Sequence, residues 1–326
     1  MRNTKLKGER AANFESNLSS NLFVDALKET LDEITPQPEQ YKAEKSKLKS
    51  LVCDDIWYIL EHCGAYIAGG AITSLFTGNL INDLDVYFPN EDSLKTAVSL
   101  FYGRDDLVAF DDNEDGGGLD LDFGKLFAHV VTNKSILYRA DFEQDVQFMH
   151  FDYFNSPEEI FDKFDYTVCM GAFDIAKDEF VLHNDFLKHN AQKYLKFNNR
   201  TAFPLISLLR VHKYQEKGYK ISKPEMLILG LTLSKLNLES WEDALDHCGG
   251  MYGYSLEDVF NTDKDFSLEG LVDQLSNLDP NRLEFIYSHT DLKLSEIFEA
   301  AGIEFDDRDY SNPYKNNKLP VFTLSS

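Results

Sequence analysis

The sequence predicts an α+β protein, with a mixed sheet in its first part and a helical region after it. Three observations lead there. Between residues 50 and 195, apolar runs of strand length fall at 65–68, 84–88, 126–132, 135–139 and 145–151. From about residue 200, leucines recur at helical spacing in 204–214, 224–237, 240–247, 268–276, 280–288 and 292–301. Strands therefore come first and helices later, which marks two regions. With 326 residues, 43% of them hydrophobic, and 25 Phe plus 16 Tyr, the chain has ample material for a core and belongs to the globular class. The expected division is a helical or flexible segment at 1–49, a sheet domain at 50–195 and a helical domain at 196–326 with an irregular tail.

The elements follow in order. Residues 1–19 are polar. Residues 20–34 place Leu22, Leu27, Leu31 and Ile34 on one helical side, and Thr35-Pro36-Gln37-Pro38 ends that helix. A second helix is expected over about 42–62, stopped by Gly64, with a short strand at 65–68. Gly69-Gly70 makes a turn, and a helix over 71–77 ends at Gly78. A strand over 84–88 stops at Pro89-Asn90, and a helix covers about 93–101. An Asp- and Gly-rich loop fills 103–118, where Asp111-x-Asn113-x-Asp115-Gly116 matches the start of a calcium loop but reads better as an acidic insertion. Near Ser156-Pro157-Glu158-Glu159 a helix should begin, with Ser as cap and Pro as first helical residue. The tail 306–326 is expected to be irregular.

Charge restricts the partners. The net charge of −24 disfavours nucleic acid as a partner of the whole surface. It is not evenly spread. Residues 186–224 hold nine basic side chains (Lys188, Lys193, Lys196, Arg200, Arg210, Lys213, Lys217, Lys220 and Lys223) against Glu216, a local +8 that leaves −32 elsewhere. Such an island either meets a local anionic partner or is the solvated face of an amphipathic helix. The four cysteines form no CxxC pair and read as reduced thiols in a cytoplasmic protein. No secretory leader is expected from the polar N-terminus, and no apolar run reaches the roughly 20 residues of a membrane span.

The chemistry concentrates in Gly69-Gly70-Ala71-Ile72-Thr73-Ser74-Leu75-Phe76-Thr77-Gly78-Asn79-Leu80-Ile81-Asn82-Asp83-Leu84-Asp85. Asp83 and Asp85 are two apart on a strand, so their carboxylates share one face. Adjacent carboxylates repel unless cations lie between them, and Mg²⁺ takes one or two carboxylates plus phosphate oxygens. Two such ions suit a phosphoryl-type displacement. Gly69 and Gly70 allow φ > 0 and close backbone approach, and the following helix aims free N–H groups at an anion. Thr73 and Ser74 add hydroxyls there. Asp-x-Asp alone, or Gly-Gly alone, is common by chance; in register between two apolar strands they favour a site for an NTP and metal.

This segment resembles the signature of the DNA polymerase β-like nucleotidyltransferase superfamily, nearest to the class II tRNA nucleotidyltransferase and poly(A) polymerase branch. Gly69, Gly70, Ile72, Gly78, Asp83 and Asp85 fall at the matching places. Downstream, 163–174 (Lys163-Phe164-Asp165-Tyr166-Thr167-Val168-Cys169 and on) resembles the branch's Arg-Arg-Asp-Phe-Thr-Ile-Asn-Ala segment, and 208–219 its neck helix. The resemblance implies a nucleotidyltransferase-fold domain, two Mg²⁺ ions at Asp83 and Asp85, ATP or another NTP at Gly69, Gly70, Thr73 and Ser74, and a basic helix (Arg210, Lys213, Lys217) neutralising phosphates. It implies transfer of a nucleoside monophosphate from an NTP to a hydroxyl, with release of pyrophosphate. The acceptor would be a tRNA-like RNA 3′ end, or a protein or small molecule.

The departures are specific. Thr73-Ser74 stands where the branch has Arg-Asp, Lys163-Phe164 where it has paired arginines, and Cys169 where its Asn contacts the ribose. Its base-reading Glu-Asp-x-x-Arg is Phe203-Pro204-Leu205-Ile206-Ser207. These changes argue against CCA addition and fit divergent members such as phage-encoded ones. The third carboxylate would come from Asp145, the position of Gln147, or Asp152, and Asp165 is expected inside its helix as an orienting or capping residue. The alternative function is a catalytically degenerate binding protein that keeps the fold.

Overall fold

The computed structural model describes residues 40–102, 127–132, 134–139, 144–248, 260–277 and 292–306. A seven-stranded sheet organises them. Its strands are β1 (Tyr66–Ala68), β2 (Asp83–Tyr87), β3 (Phe127–Val131), β4 (Ser135–Arg139), β5 (Asp145–Met149), β6 (Gly171–Asp174) and β7 (Glu179–Leu182), in the order β3-β4-β5-β2-β1-β6-β7. β2 and β5 run parallel, and every other neighbouring pair is antiparallel. The described residues from Ser46 onward form one compact unit. The mixed α and β architecture is therefore as expected.

One face of the sheet is sealed. Ile67, Leu84, Val86, Ile136, Val146, Phe148 and Phe173 pack there beneath three helices: α2 (Asp54–His62), α3 (Gly70–Thr77) and α4 (Glu91–Tyr102). Each large apolar side chain buried this way contributes about 1.5–3 kcal/mol. The other face carries Tyr66, Ala68, Tyr87, Met149 and Ala172. It is covered by Ile160 and Phe161 of α5 (Pro157–Lys163) and by Phe154. The strand period of two sends Asp83 and Asp85 to this second face, beyond the apolar cover.

Two smaller clusters follow. Tyr166, Val168, Leu195, Val211, Tyr214, Tyr219 and Leu229 gather the 3₁₀ turn Thr167–Cys169, a two-stranded parallel sheet of β8 (Tyr194–Leu195) and β9 (Lys220–Ile221), helix α7 (Pro204–Glu216) and helix α8 (Lys223–Leu233). Leu205 and Ile206 of α7 pack with Trp241, Ala244, Leu271 and Leu275 of α9 (Trp241–Asp246) and α10 (Leu268–Ser276). A last helix, α11, spans Leu294–Ala300.

Several expectations need correction. The helix expected over 42–62 is two, Lys42–Lys49 (α1) and α2. Cys53 is extended (φ −68, ψ 162), and Asp54 and Asp55 open a new first turn, where carboxylates meet the positive end of the helix dipole. Trp57 Nε1 donates to Lys49 O at 2.8 Å and pins the two together. At α5, Ser156 is extended and Pro157 leads as expected, but the Ser156 side chain makes no cap. Glu159 Oε2 instead accepts from Asn155 N at 2.7 Å. β6, β7 and helix α6 (Phe186–Gln192) carried no clear periodic signal. All four residues of β6 are buried, so it has no alternation to read. The stretches 1–19, 20–34, 103–118 and 280–288 lie outside the described residues, as does the tail beyond residue 306.

Candidate functional site

β2 supplies the floor. Leu84 and Val86 are wholly buried, while Asp83 and Asp85 between them are only partly so. Asp83 stands beside Asp145 of β5, and Asp85 beside Gln147. Burial, then the charge of Asp83, pushes the Asp85 carboxyl up to about 8, against the lowering influence of Arg210 and Lys213.

The glycine turn adjoins this pair. Gly69 has φ +85 and ψ −129, a conformation that side chains avoid, and its N–H donates to Gly171 O at 3.0 Å. A methyl group placed on Gly69 would lie 3.3 Å from the Phe164 ring and 3.7 Å from Asp85 Oδ2. The turn and the carboxylate are thus neighbours in space, although fifteen residues lie between them in sequence. Gly70 is exposed and opens α3, whose first N–H groups have no helical partner. Thr73 is buried. Its hydroxyl lies 2.8 Å from Val168 O and 3.0 Å from Gly69 O, so its proton is committed to backbone and it ties α3 to the 3₁₀ turn. Ser74 is partly buried at the next position. At the far end, Gly78 (φ +71) closes α3.

Helix α3 owes its position to a close contact beneath it. A methyl group on Gly171 would come within 2.8 Å of Ile72 Cγ2 and 2.9 Å of the Phe186 ring. No larger residue fits without moving the helix off β6.

Helix α7 brings the positive charge. It is anchored by Tyr166, whose hydroxyl donates to Ser207 O at 2.8 Å, and by Phe203, whose ring meets Phe151 edge-on at 5.6 Å. Arg210 and Lys213 lie close enough for their charges to act on Asp85. Desolvation, then the charges of Arg210 and Lys217, holds the Lys213 ammonium below its usual range, while Asp83 opposes them. Lys217, one turn further on, ends the helix and is exposed.

Asp165 is not inside a helix. α5 ends at Lys163, and Asp165 sits in the following segment, 2% exposed, with its Oδ2 3.2 Å from Arg210 Nη1. Burial raises its carboxyl above the usual range, and Arg210 offsets only part of that. Beside this pair, Tyr214 Oη is hydrogen-bonded to Cys169 Sγ, and its ring lies 5.9 Å from the Arg210 guanidinium. Burial, then Asp165, pushes the Cys169 thiol up to about 11, so it stays protonated.

None of the three candidates stands as a free third carboxylate. At the position beside Asp85 there is an amide, and Gln147 Nε2 donates to Ser135 Oγ at 2.8 Å. Asp145 is 3.1 Å from both Nε and Nη2 of Arg139, and Asp152 is 2.6 Å from Lys163. Among the described residues no group of three His, Cys, Asp or Glu side chains is arranged to hold a metal ion.

The model of the Gabija anti-defense 2 family matches residues 39–193. The chain is 38% identical over 289 residues to "Gabija anti-defense 2" of Bacillus phage SPbetaL7, covering 87% of this chain and 63% of that relative. It therefore spans less than two thirds of the relative's length. Among solved structures it is similar to a Thermotoga maritima CCA-adding enzyme complexed with tRNA, at 14% identity and a TM-score of 0.40 over 61% of this chain and 50% of that one. It is also similar to a tRNA nucleotidyltransferase complexed with a primer tRNA and an incoming ATP analogue, at 14% identity and a TM-score of 0.41 over 77% and 64%. The matched family segment contains the glycine turn, both aspartates of β2 and Asp165, and stops before α7.

Of the residues singled out from sequence, the structure brings Gly69 beside Asp85, and the charges of Arg210 and Lys213 act on the β2 carboxylates. Among the described residues no helix is long and apolar enough to cross a membrane. Asp165, Tyr214 and Cys169 acquire roles that no local pattern announces, because their contacts join positions 45 residues apart.

Proposed function

We propose that this protein transfers a nucleoside monophosphate from an NTP to a hydroxyl acceptor. The acceptor oxygen would bond to the α-phosphorus as the bond to the bridging oxygen breaks, and pyrophosphate would leave. The observation that carries this reading is the nearness of the Gly69 turn to Asp85, with the charges of Arg210 and Lys213 acting on the same carboxylate. In this reading the Gly69 turn would bind phosphate, the two aspartates would supply hard oxygen donors, and the basic helix would offset charge beside them.

The donor set fits a hard divalent cation. Asp83 and Asp85 share a strand face, and their repulsion together with burial already pushes Asp85 up to about 8, a strain that a cation relieves. Two Mg²⁺ ions at Asp83 and Asp85 would neutralise triphosphate charge and stabilise the leaving pyrophosphate. The chain's own work is to bind and orient. Backbone N–H groups after Gly69 and the Ser74 hydroxyl receive phosphate oxygens. Arg210 and Lys213 offset the charge gathered on the leaving group, with Lys217 beyond them. Thr73 acts one step back, by fixing α3 against the 3₁₀ turn.

The acceptor is either an RNA 3′ end, drawn by the basic stretch, or a hydroxyl on a protein or small molecule. The similarity to a phage protein named for anti-defense supports a role in disarming the Gabija defence by such a modification. A second reading has its own observation. With Gln147 beside Asp85, one expected carboxylate is an amide, which favours a protein that holds NTP and metal without turnover.

The test is direct. The protein is titrated with each Mg·NTP, then incubated with α-labelled NTP, total RNA and total protein. Label in one fraction, lost in Asp83→Asn, supports transfer and identifies the acceptor class. Heat of binding without label favours the non-catalytic reading. Binding of no NTP, with no change on Asp83→Asn, sinks both.

A further inference from the structure

Asp165 is nearly inaccessible, and among the described residues the only cation at ion-pair distance from it is Arg210. A carboxylate is costly to bury unless it is paired, and Arg210 pairs with this one. Everything around Asp165 holds it still. Its carbonyl accepts from Asn198 N at 2.7 Å, and the Asn198 amide donates to the Phe164 carbonyl at 2.8 Å. The next residue, Tyr166, is fastened to α7 through Ser207 O. The guanidinium is held as well, with the Tyr214 ring nearby and Tyr214 tied to Cys169.

Arg210 is not consumed by this pair. Its side chain keeps 30% exposure, and a guanidinium has five N–H donors, of which the Asp165 contact engages Nη1. Its charge also reaches Asp85 on β2. One end of the guanidinium is thus paired with Asp165, and its other donors remain for another anion.

We propose that Asp165 is a positioning residue for the triphosphate: it anchors one edge of Arg210 so that the free edge is presented, already oriented, to phosphate oxygens beside Asp83 and Asp85. This rests on the nucleotidyltransferase reading and adds to it how the phosphate-binding arginine is held. Pre-orientation matters because a free arginine loses rotamer freedom on binding, which weakens the contact.

The experiment uses the full chain and two probes, Mg·NTP and Mg·tripolyphosphate, measured by calorimetry on wild type, Asp165→Asn, Arg210→Ala and the double variant. A charge-assisted contact of this kind is expected to change affinity by roughly tenfold or more. Asp165→Asn should weaken both probes by about that factor, because the loss is in the phosphate arm. In the Arg210→Ala background Asp165→Asn should do nothing further. A merely structural role predicts the opposite, an independent loss that adds to that of Arg210→Ala, and that additive result overturns the proposal. Wild-type affinity in Asp165→Asn also overturns it while leaving the functional reading intact. Failure of the wild type to bind either probe overturns both. Should Asp165→Asn fail to fold, Arg210→Lys decides. It keeps a cation for Asp165 but has no second edge, so about tenfold weaker tripolyphosphate binding supports the proposal and wild-type binding overturns it.

Discussion

The two faces of the seven-stranded sheet are built from the same strands and follow opposite rules. On the sealed face Leu84, Val86, Val146 and Phe148 are wholly buried beneath three helices. On the other face Asp83, Asp85, Asp145 and Gln147 occupy the alternate positions of the same two strands. The difference shows how the chain affords two neighbouring carboxylates: the apolar half of each strand supplies stability, and the alternate positions carry the polar groups.

The largest effect should come from the polar half. Asp83→Asn or Asp85→Asn is expected to lower label transfer at least 100-fold, as loss of a group aimed at developing charge does, while the far-UV spectrum is unchanged. Retention of transfer in both variants would remove the aspartates from the mechanism.

The sealed half should answer in the other currency. Leu84→Ala, one residue from each aspartate, is expected to cost about 2–5 kcal/mol in urea unfolding, with transfer per folded molecule intact. If its midpoint did not move, the sealed face would not be the stabilising one.

Gly69→Ala lies where the two halves meet. A side chain at φ +85, 3.3 Å from Phe164, should cost about 1–2 kcal/mol of stability and also weaken Mg·NTP binding. Full binding with reduced stability would assign the turn to the fold alone.

A separate effect is expected from pH in the metal-free protein. The Asp85 carboxyl is raised in the folded state to about 8 from an ordinary value of 3.8. The folded form therefore holds the proton more tightly than the unfolded one. Its contribution to stability is full below about pH 4 and is lost as pH rises through 8. Asp85→Asn should melt higher than wild type near pH 9 and not at pH 4, and Mg²⁺ should reduce that gap. Smallest of all, Lys217→Ala is expected to weaken Mg·NTP binding by only a few-fold, and less at high salt, because the residue is exposed.

The parts of this arrangement that are legible in sequence are local ones. The period of two places Asp83 and Asp85 together, and the glycine turn, α3 and β2 lie within twenty residues of one another. What escapes is either non-local or unpatterned. Asp165 and Arg210 meet because long-range contacts, among them the Tyr166–Ser207 bond and the Thr201–Lys163 bond, hold α7 against the segment after α5. The break between α1 and α2 hides in a run where apolar residues continue on both sides of Cys53. Gln147 is the most instructive, since its register beside Asp85 depends on a strand pairing that no spacing reveals.

Gly171 carries a consequence for genetics. It lies one hundred positions from the turn whose shape it preserves, and the space for a methyl group there is already filled by Ile72 and Phe186. A random-mutation screen for loss of function should recover substitutions at this codon alongside those at the aspartates. Mapped without the structure, such hits would be mistaken for a second functional centre. Their signature is heat-sensitive loss in the cell, in contrast to the stable, inactive protein expected from the aspartate variants.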